Sequence, residues 1–545
     1  MFAENVTLPM GNKTVVAETW LPETFPPSSG PAVLVALLAA TLFFLSRKPS
    51  TNSDFPLINP RKFYDIGGIR AKLSFVFNAR HLLALGVRTQ RPFRLLTDIG
   101  ELTVLPAHYA NEIRNDPRLS FAEVISQTFH ADLPGFEGFR QGTADAHMSR
   151  DVANKQLTHS LGRSFAPAQC LFFPPCQSNP TIPPASVTEA LSGECAAALD
   201  ELFPASEEEW TDVSLRDRVL QLVARLSSRV FLGEAGARNA AWQRITAEYT
   251  KTAYVAAYVL RLWPARLRPL VHWALPPCRR LRAQVAEARG IVVDMIEARR
   301  SSRDSGGQQY NDAVAWFEQD RQRGSDYDPV VAQLILAQAA IETTTDLLTQ
   351  ALLDLAAHPE LAGPLREEVA AVVGKAGWKK SSVYEMKLVD SVLKESQRLK
   401  PLAMTSMHRL VLEDVTLSDG VRLAKGTVIG VAGSRMWDAD VHEDPARFDG
   451  YRFLRMRGDD GRQHQAHFVS TSADHLAFGH GRHACAGRFF VAHEAKIALS
   501  HLLLKYDWKV ADRSPDPKPF EFGLTLVANP KAVVSIRARK AEMEL

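Results

Sequence analysis

The longest unbroken apolar stretch lies near the N-terminus, where Pro31 to Leu45 (PAVLVALLAATLFFL) runs without a charge inside Ser28–Ser46. A helix needs about 20 mostly apolar residues to cross a bilayer, so this run predicts one membrane span. After Phe63 the apolar positions follow a helical period over Val213–Leu232, Ala240–Leu262, Arg279–Arg300, Pro329–Ala357, Glu360–Val373 and Val389–Leu399. A last helix is predicted from Gly487 to Tyr506. Leu95–Leu105 alternates with period two and turns at Gly100, which predicts a hairpin. Met404–Val431 reads as strands turning at Asp419-Gly420, and Phe520–Ile536 as a closing hairpin. The expected architecture is mainly α with small β-sheets, preceded by one N-terminal transmembrane helix.

The residues flanking the apolar run give it a direction. Arg47 and Lys48 follow it directly, and basic flanks stay on the cytosolic side. Asn5-Val-Thr7 and Asn12-Lys-Thr14 are glycosylation sequons on the opposite, lumenal side, with Asn5 and Asn12 as acceptors. A cleaved signal peptide would carry a basic region ahead of the apolar run, and none is present. The chain thus divides into a lumenal segment (1–27), an anchor (28–46), a Pro-rich tether (47–62) and one large domain (63–545). Inside that domain Ser164–Ser186 (SFAPAQCLFFPPCQSNPTIPPAS) has no period and many prolines. Such a stretch is unusual in a compact domain. It reads either as a surface loop or as translated non-coding sequence.

Composition changes this picture little. At 545 residues with a net charge of +3, the chain is a globular protein with a sizeable core. So small a charge excludes bulk nucleic-acid binding. Five scattered cysteines (170, 176, 195, 278 and 485) without a C-x-x-C pair exclude a disulfide framework or a structural zinc site. They place the large domain in a reducing compartment.

One of those cysteines stands in special surroundings. Phe478-Gly-His-Gly481-Arg-His483-Ala-Cys485-Ala-Gly487 packs three glycines around a cysteine at the start of an amphipathic helix. The helix's positive end favours a thiolate, and the glycines let backbone approach a flat cofactor. His483 is within reach of a carboxylate on such a cofactor. Glu395-Ser-Gln-Arg398 alone would be a surface ion pair. Ala339-Ala-Ile-Glu342-Thr343-Thr344 alone would be a helix with a β-branched patch.

Taken together, these motifs resemble the cytochrome P-450 family. The cysteine stretch matches that family's F-x-x-G-x-[R/H]-x-C-x-G signature at every fixed position, Phe478, Gly481, His483, Cys485 and Gly487. Glu395–Arg398 resembles its E-x-x-R. Pro445-Ala-Arg447-Phe448 resembles its P-E-R-F, so that Glu395, Arg398 and Arg447 are expected to form a buried structural network. Ala339–Thr344 resembles its oxygen-activation motif, with Ala340 where a glycine is usual. The resemblance implies Cys485 as axial ligand of the iron of haem b (iron-protoporphyrin IX). It implies Thr343 and Glu342 as a proton relay, with Thr343 opening the helix locally, and Arg409 and Lys155 as contacts to the haem propionates.

The expected activity is a haem-thiolate monooxygenase acting on an apolar substrate. No flavin or nicotinamide fingerprint occurs in the chain, so electrons are expected through a separate NADPH-cytochrome P450 reductase, with cytochrome b5 as a second donor. Arg482, Arg488, Arg452 and Arg455 are candidates to steer the reductase. Tyr109–Arg114, Lys155–Thr158 and Met407–Arg409 are most similar to fungal microsomal members that oxidise terpenoids, the ent-kaurene oxidase-like and indole-diterpene enzymes. This implies the endoplasmic reticulum membrane as location and secondary metabolism as context. Candidate pocket segments are Gln127–Phe139, Thr250–Leu262, the face around Ala340, Pro401–Met407 and Leu524–Val527. A haem-thiolate isomerase or dehydratase, or a haem-binding protein without activity, would share the cysteine loop.

Overall fold

A computed structural model describes residues 54–62, 65, 69–144, 186–304, 310–322 and 328–540. The expected anchor, both sequons, Lys155 and nearly all of the Ser164–Ser186 segment lie outside the described residues; Ser186 itself opens a helix. Among the described residues no helix is long and apolar enough to cross a membrane.

The long helices are α1 (Ile69–Val87), α2 (Phe121–Phe129), α3 (Glu137–Ala144), α4 (Ser186–Leu202), α5 (Leu215–Phe231), α6 (Ala240–Arg261) and α7 (Pro276–Asp304). They continue with α8 (Ala313–Gln322), α9 (Pro329–Ala357), α10 (Ala362–Ala376), α11 (Lys387–Leu399) and α12 (Arg488–Lys505). The centre of the fold is α9. Asp328 caps it by accepting from the N–H groups of Val330 and Val331, Pro329 fixes its first turn, and most of its side chains are buried. A helix apolar on nearly all sides must be surrounded, and α3, α5, α6, α7, α11 and α12 pack against it. α11 lacks a cap of its own. The Glu368 carboxylate of α10 accepts instead from the N–H groups of Lys387, Leu388 and Val389, at 2.8–3.1 Å.

The strands form small sheets, as expected. β1 (Phe93–Leu96) and β2 (Glu101–Leu105) make the hairpin about Gly100, whose φ of +144° a residue with a side chain rarely adopts. With β3 (Leu119–Ser120), β5 (Thr405–Val411) and β8 (Val428–Ala432) they form one sheet of order β1-β2-β8-β5-β3. β6 (Val415–Thr416) and β7 (Arg422–Leu423) pair across the Asp419-Gly420 turn. The closing hairpin is shorter than expected. Only β10 (Phe520–Phe522) and β11 (Thr525–Val527) pair with each other. Asn529-Pro530 then breaks the run, and Ile536 belongs to β12 (Val533–Ala538), which joins β4 (Thr211–Ser214) to β9 (Tyr506–Val510). This pairing also makes Val213 and Ser214 strand residues, so α5 starts at Leu215 rather than Val213.

One buried acid on α12 makes stability depend on pH. Glu494 is fully buried and accepts a hydrogen bond from Ser227 Oγ of α5 at 2.7 Å. Burial pushes its pKa up to about 8 against an ordinary 4.5, although the Ser227 bond lowers it. The folded chain therefore holds this proton more tightly than the unfolded chain. The stability it contributes is complete below about pH 4.5 and is lost as pH rises towards 8. Glu494→Gln should flatten the fall in Tm between pH 5 and 8, measured on paired melting curves; an unchanged slope would assign the dependence to other groups.

Candidate active site

The cysteine stretch folds as a tight loop ending on α12. The Cys485 N–H donates to Phe478 O at 2.8 Å and the Ala484 N–H to Gly481 O at 3.0 Å, while Gly479 and Gly481 take φ of +69° and +76°. Phe478 packs edge-on to Phe468 and rests against the main core. Cys485 is exposed, whereas Cys195 and Cys278 are buried. Although the residue is exposed, chain packs around its sulfur. That loss of hydration raises its pKa, while the backbone N–H groups of Gly487 and Arg488 and the Arg488 guanidinium lower it. Burial pushes Cys278 up to about 11, although Arg282 lowers it. A Cβ at Gly487 would meet no chain atom within 4 Å, so the glycine leaves open space beside the thiol.

Cations gather next to this loop. Arg409 on β5 is buried; it donates to His408 O at 2.7 Å and lies 5.5 Å from the ring centre of Phe121. Among the described residues no carboxylate pairs with it. Burial first, and then Arg482, lowers its pKa to about 10. His483 lies 6.2 Å from the same Phe121 ring, with Arg482 at 3.3 Å. A buried guanidinium without a counter-ion is costly. An open thiol held by backbone donors, next to a buried guanidinium that no carboxylate among the described residues meets, fits a group with a soft metal and acidic edge substituents. Haem b is such a group: Cys485 would hold its iron, and Arg409 and His483 would meet its propionates.

The second set of expected site residues lies on α9. Ala339 is exposed in the middle of this otherwise buried helix, and Thr343 is half-buried one turn later. Ala340 and Ile341 belong to the main core cluster, against which Phe478, Ala486 and Phe489 also pack. Thr343 Oγ1 donates to Ala339 O at 2.8 Å. The local opening of the helix expected from Thr343 does not occur: α9 runs unbroken from Pro329 to Ala357. Alanine at 340 removes the weakness that glycine would bring, about 1 kcal/mol. Glu342 turns to other partners. Arg216 Nη2 donates to its Oε2 at 2.6 Å, and Lys251 Nζ lies 3.7 Å from Oε1. Nothing in the sequence pattern pointed to Arg216, because its α5 position meets α9 only through the fold.

Behind the loop, Glu395 and Arg398 are fully buried and paired twice, Nε to Oε2 at 2.7 Å and Nη2 to Oε1 at 2.8 Å. The second arginine is not Arg447. Arg452 Nε donates to both Glu395 oxygens, at 3.1 and 3.2 Å, and its Nη1 donates to Glu443 O at 2.6 Å. Arg447 is exposed and contributes only its backbone carbonyl, which accepts from Arg452 Nη2 at 3.2 Å. The stretch Pro445–Phe453 contains Arg-Phe twice, and the chain turns so that the second of these faces α11. Arg452 is consequently withdrawn from the surface proposed to steer a reductase. Arg455 remains there, ion-paired with Asp449.

The cytochrome P450 family model matches residues 194–535. Cytochrome P450 monooxygenase 1 of Gibberella fujikuroi is 46% identical over 461 residues, covering 84% of this chain and 99% of that protein. Cytochrome P450 monooxygenase hepE of Aspergillus oryzae is 41% identical over 535 residues, covering 96% and 92%. Cytochrome P450 monooxygenase TRI1 of Fusarium sporotrichioides is 39% identical over 513 residues, covering 93% and 89%. An open cysteine at the head of α12, the buried pair Glu395–Arg398 and near full-length likeness to these monooxygenases lead to one conclusion. The chain belongs to the cytochrome P450 family, and it is a haem-dependent monooxygenase that receives electrons from a separate reductase.

Proposed function

We propose that Cys485 is the thiolate ligand of haem and that the chain hydroxylates an apolar, terpenoid substrate in fungal secondary metabolism. The observation that carries this is the Cys485 thiol, open on one side and held by the N–H groups of Gly487 and Arg488 on the other. Bound haem supplies a redox-active iron at which dioxygen is reduced, and thiolate ligation favours O–O cleavage. The chain's own residues do the rest. Arg409 and His483 bind the acidic edge of the cofactor, and Gly481 and Gly487 leave room for the loop beside it. Thr343 Oγ1 holds a proton at the exposed stretch of α9, and Glu342 stands next to it as the acidic member of the relay. Arg216 and Lys251 hold the Glu342 carboxylate in place.

The exposed apolar residues Tyr254, Val255 and Leu402 fall in segments expected to line the pocket and favour an apolar ligand. Lys155 would add a propionate contact. The 28–46 run anchors the chain in the endoplasmic reticulum membrane with the catalytic domain in the cytosol and Asn5 and Asn12 glycosylated in the lumen. There a membrane-bound NADPH-cytochrome P450 reductase, and cytochrome b5 beside it, reach Arg482 and Arg488. The test is turnover of a panel of terpenoid skeletons by microsomes containing the chain and reductase, with isotopically labelled dioxygen. One labelled oxygen in a product is expected. Products formed without label, or without NADPH, would overturn the reading.

A further inference from the structure

The run Tyr109-Ala-Asn-Glu-Ile-Arg114 has no part in the chemistry above, yet nearly every residue of it has a specific contact. Its helix, Ala110–Ile113, has four residues, too few to persist unaided. One side is fastened to the turn between β6 and β7. Tyr109 Oη donates to Asp419 Oδ2 at 2.5 Å, and the Glu112 carboxylate accepts from Ser418 N at 2.6 Å and Ser418 Oγ at 3.0 Å. Ile113 is buried in the sheet's core. The other side meets the cysteine loop. Asn111 Oδ1 lies 3.0 Å and Arg114 Nη1 3.2 Å from Nε2 of the buried His480, whose Nδ1 is 3.1 Å from Thr471 Oγ1. Asn115 Oδ1 accepts from the Arg482 N–H at 2.8 Å. A Cβ on Gly481 would come within 2.5 Å of Arg114 Cβ and 2.9 Å of Arg114 O, so the backbones are in contact.

These contacts fall where the loop cannot hold itself. Its own backbone bonds join Phe478 to Cys485 and Gly481 to Ala484, leaving His480 and Arg482 for the neighbouring helix to fix. We propose that Asn111, Arg114 and Asn115 are positioning residues for the thiolate: from a helix tied to the Ser418–Asp419 turn, they fix the cysteine loop and so the place of Cys485 Sγ. The inference rests on Cys485 being the haem ligand. With the brace cut, the loop relaxes, the Gly487 and Arg488 N–H groups lose their aim at the sulfur, and Cys485 Sγ is no longer held at one place.

The experiment compares ferrous-carbonyl spectra of Asn115→Ala, Asn111→Ala and the wild-type haem protein, each normalised to haem content. The thiolate-type absorption should shift, and haem affinity should fall about tenfold, the size of effect outer-shell partners have at metal sites. The haem midpoint potential should shift as well. Asn115→Asp, which keeps the acceptor for Arg482 N–H, should restore all three. Ser227→Ala, whose lost bond is to Glu494 and not to the loop, shows what destabilisation alone does. If either alanine variant matches Ser227→Ala in spectrum and potential at equal loss of Tm, the residues are merely structural and the inference falls. If Asn115→Ala does not fold with haem, Asn111→Ala and Asn115→Asp decide it in the same way. A normal wild-type spectrum retained by Cys485→Ala would instead refute the ligand assignment itself.

Discussion

Replacing Arg452 with alanine is expected to cost about 3–5 kcal/mol of stability, the usual penalty for removing one partner of a buried ion pair. Glu395 is fully buried and answers to two guanidiniums, from Arg398 and Arg452. Without Arg452 its carboxylate keeps Arg398 and the Asp449 N–H at 3.1 Å, but one charge-assisted bond to each oxygen is gone. The Arg452 side chain also gathers the carbonyls of Glu443, Asp444 and Arg447 into the turn that carries the chain back towards α11. Losing it frees that turn as well. Arg447→Ala removes an exposed side chain and leaves the backbone carbonyl in place, so it should stay within about 0.5 kcal/mol of wild type. Denaturation curves of the two variants decide which arginine completes the network. Equal losses, or a larger loss at 447, would contradict the structure.

The second large effect concerns oxygen chemistry. Thr343→Ala removes the one hydroxyl on the exposed stretch of α9 and leaves the helix itself bonded through its backbone. Positioned proton donors contribute roughly 10²–10⁴-fold to rate. Product formed per NADPH should accordingly fall on the order of a hundredfold, with the reducing equivalents released as hydrogen peroxide and water. Haem content and substrate binding should change little. Thr343→Ser, which keeps the hydroxyl, should retain most of the coupling. Unchanged coupling in Thr343→Ala would move the proton supply to another group. Thr344 is a poor alternative, since it is fully buried.

Much of this was legible before any coordinates. Asp328-Pro329 announces the start of α9, and its length to Ala357 follows from an unbroken apolar period, so the observed bounds agree to the residue. Gly100 marks the first hairpin because only a glycine readily takes its φ. The cysteine loop is legible for the same reason, since its glycines are needed for backbone geometry rather than for packing. Apart from the helix opening expected at Thr343, which alanine at 340 decides locally, the misreadings share one cause: they depend on contacts between segments distant in sequence. Arg447 and Arg452 sit in the same local pattern, and only burial against α11 separates them. Ile536 alternates like a hairpin strand whichever partner it takes. Arg216 reaches Glu342 from a strand-to-helix junction 126 residues away. The run Tyr109–Arg114 was visible as a pattern, but its contacts to Ser418, Asp419, His480 and Gly481 arise only on folding.

The central claim is that Cys485 carries the haem iron. The most direct measurement is the ferrous-carbonyl difference spectrum of Cys485→Ala beside Cys195→Ala and Cys278→Ala. Cys485→Ala should lose the thiolate-type absorption entirely. The other two, which replace thiols buried in the core, should keep it in proportion to folded haem protein. Thiolate-type absorption surviving in Cys485→Ala, or vanishing from folded, haem-bound Cys195→Ala, would contradict the account.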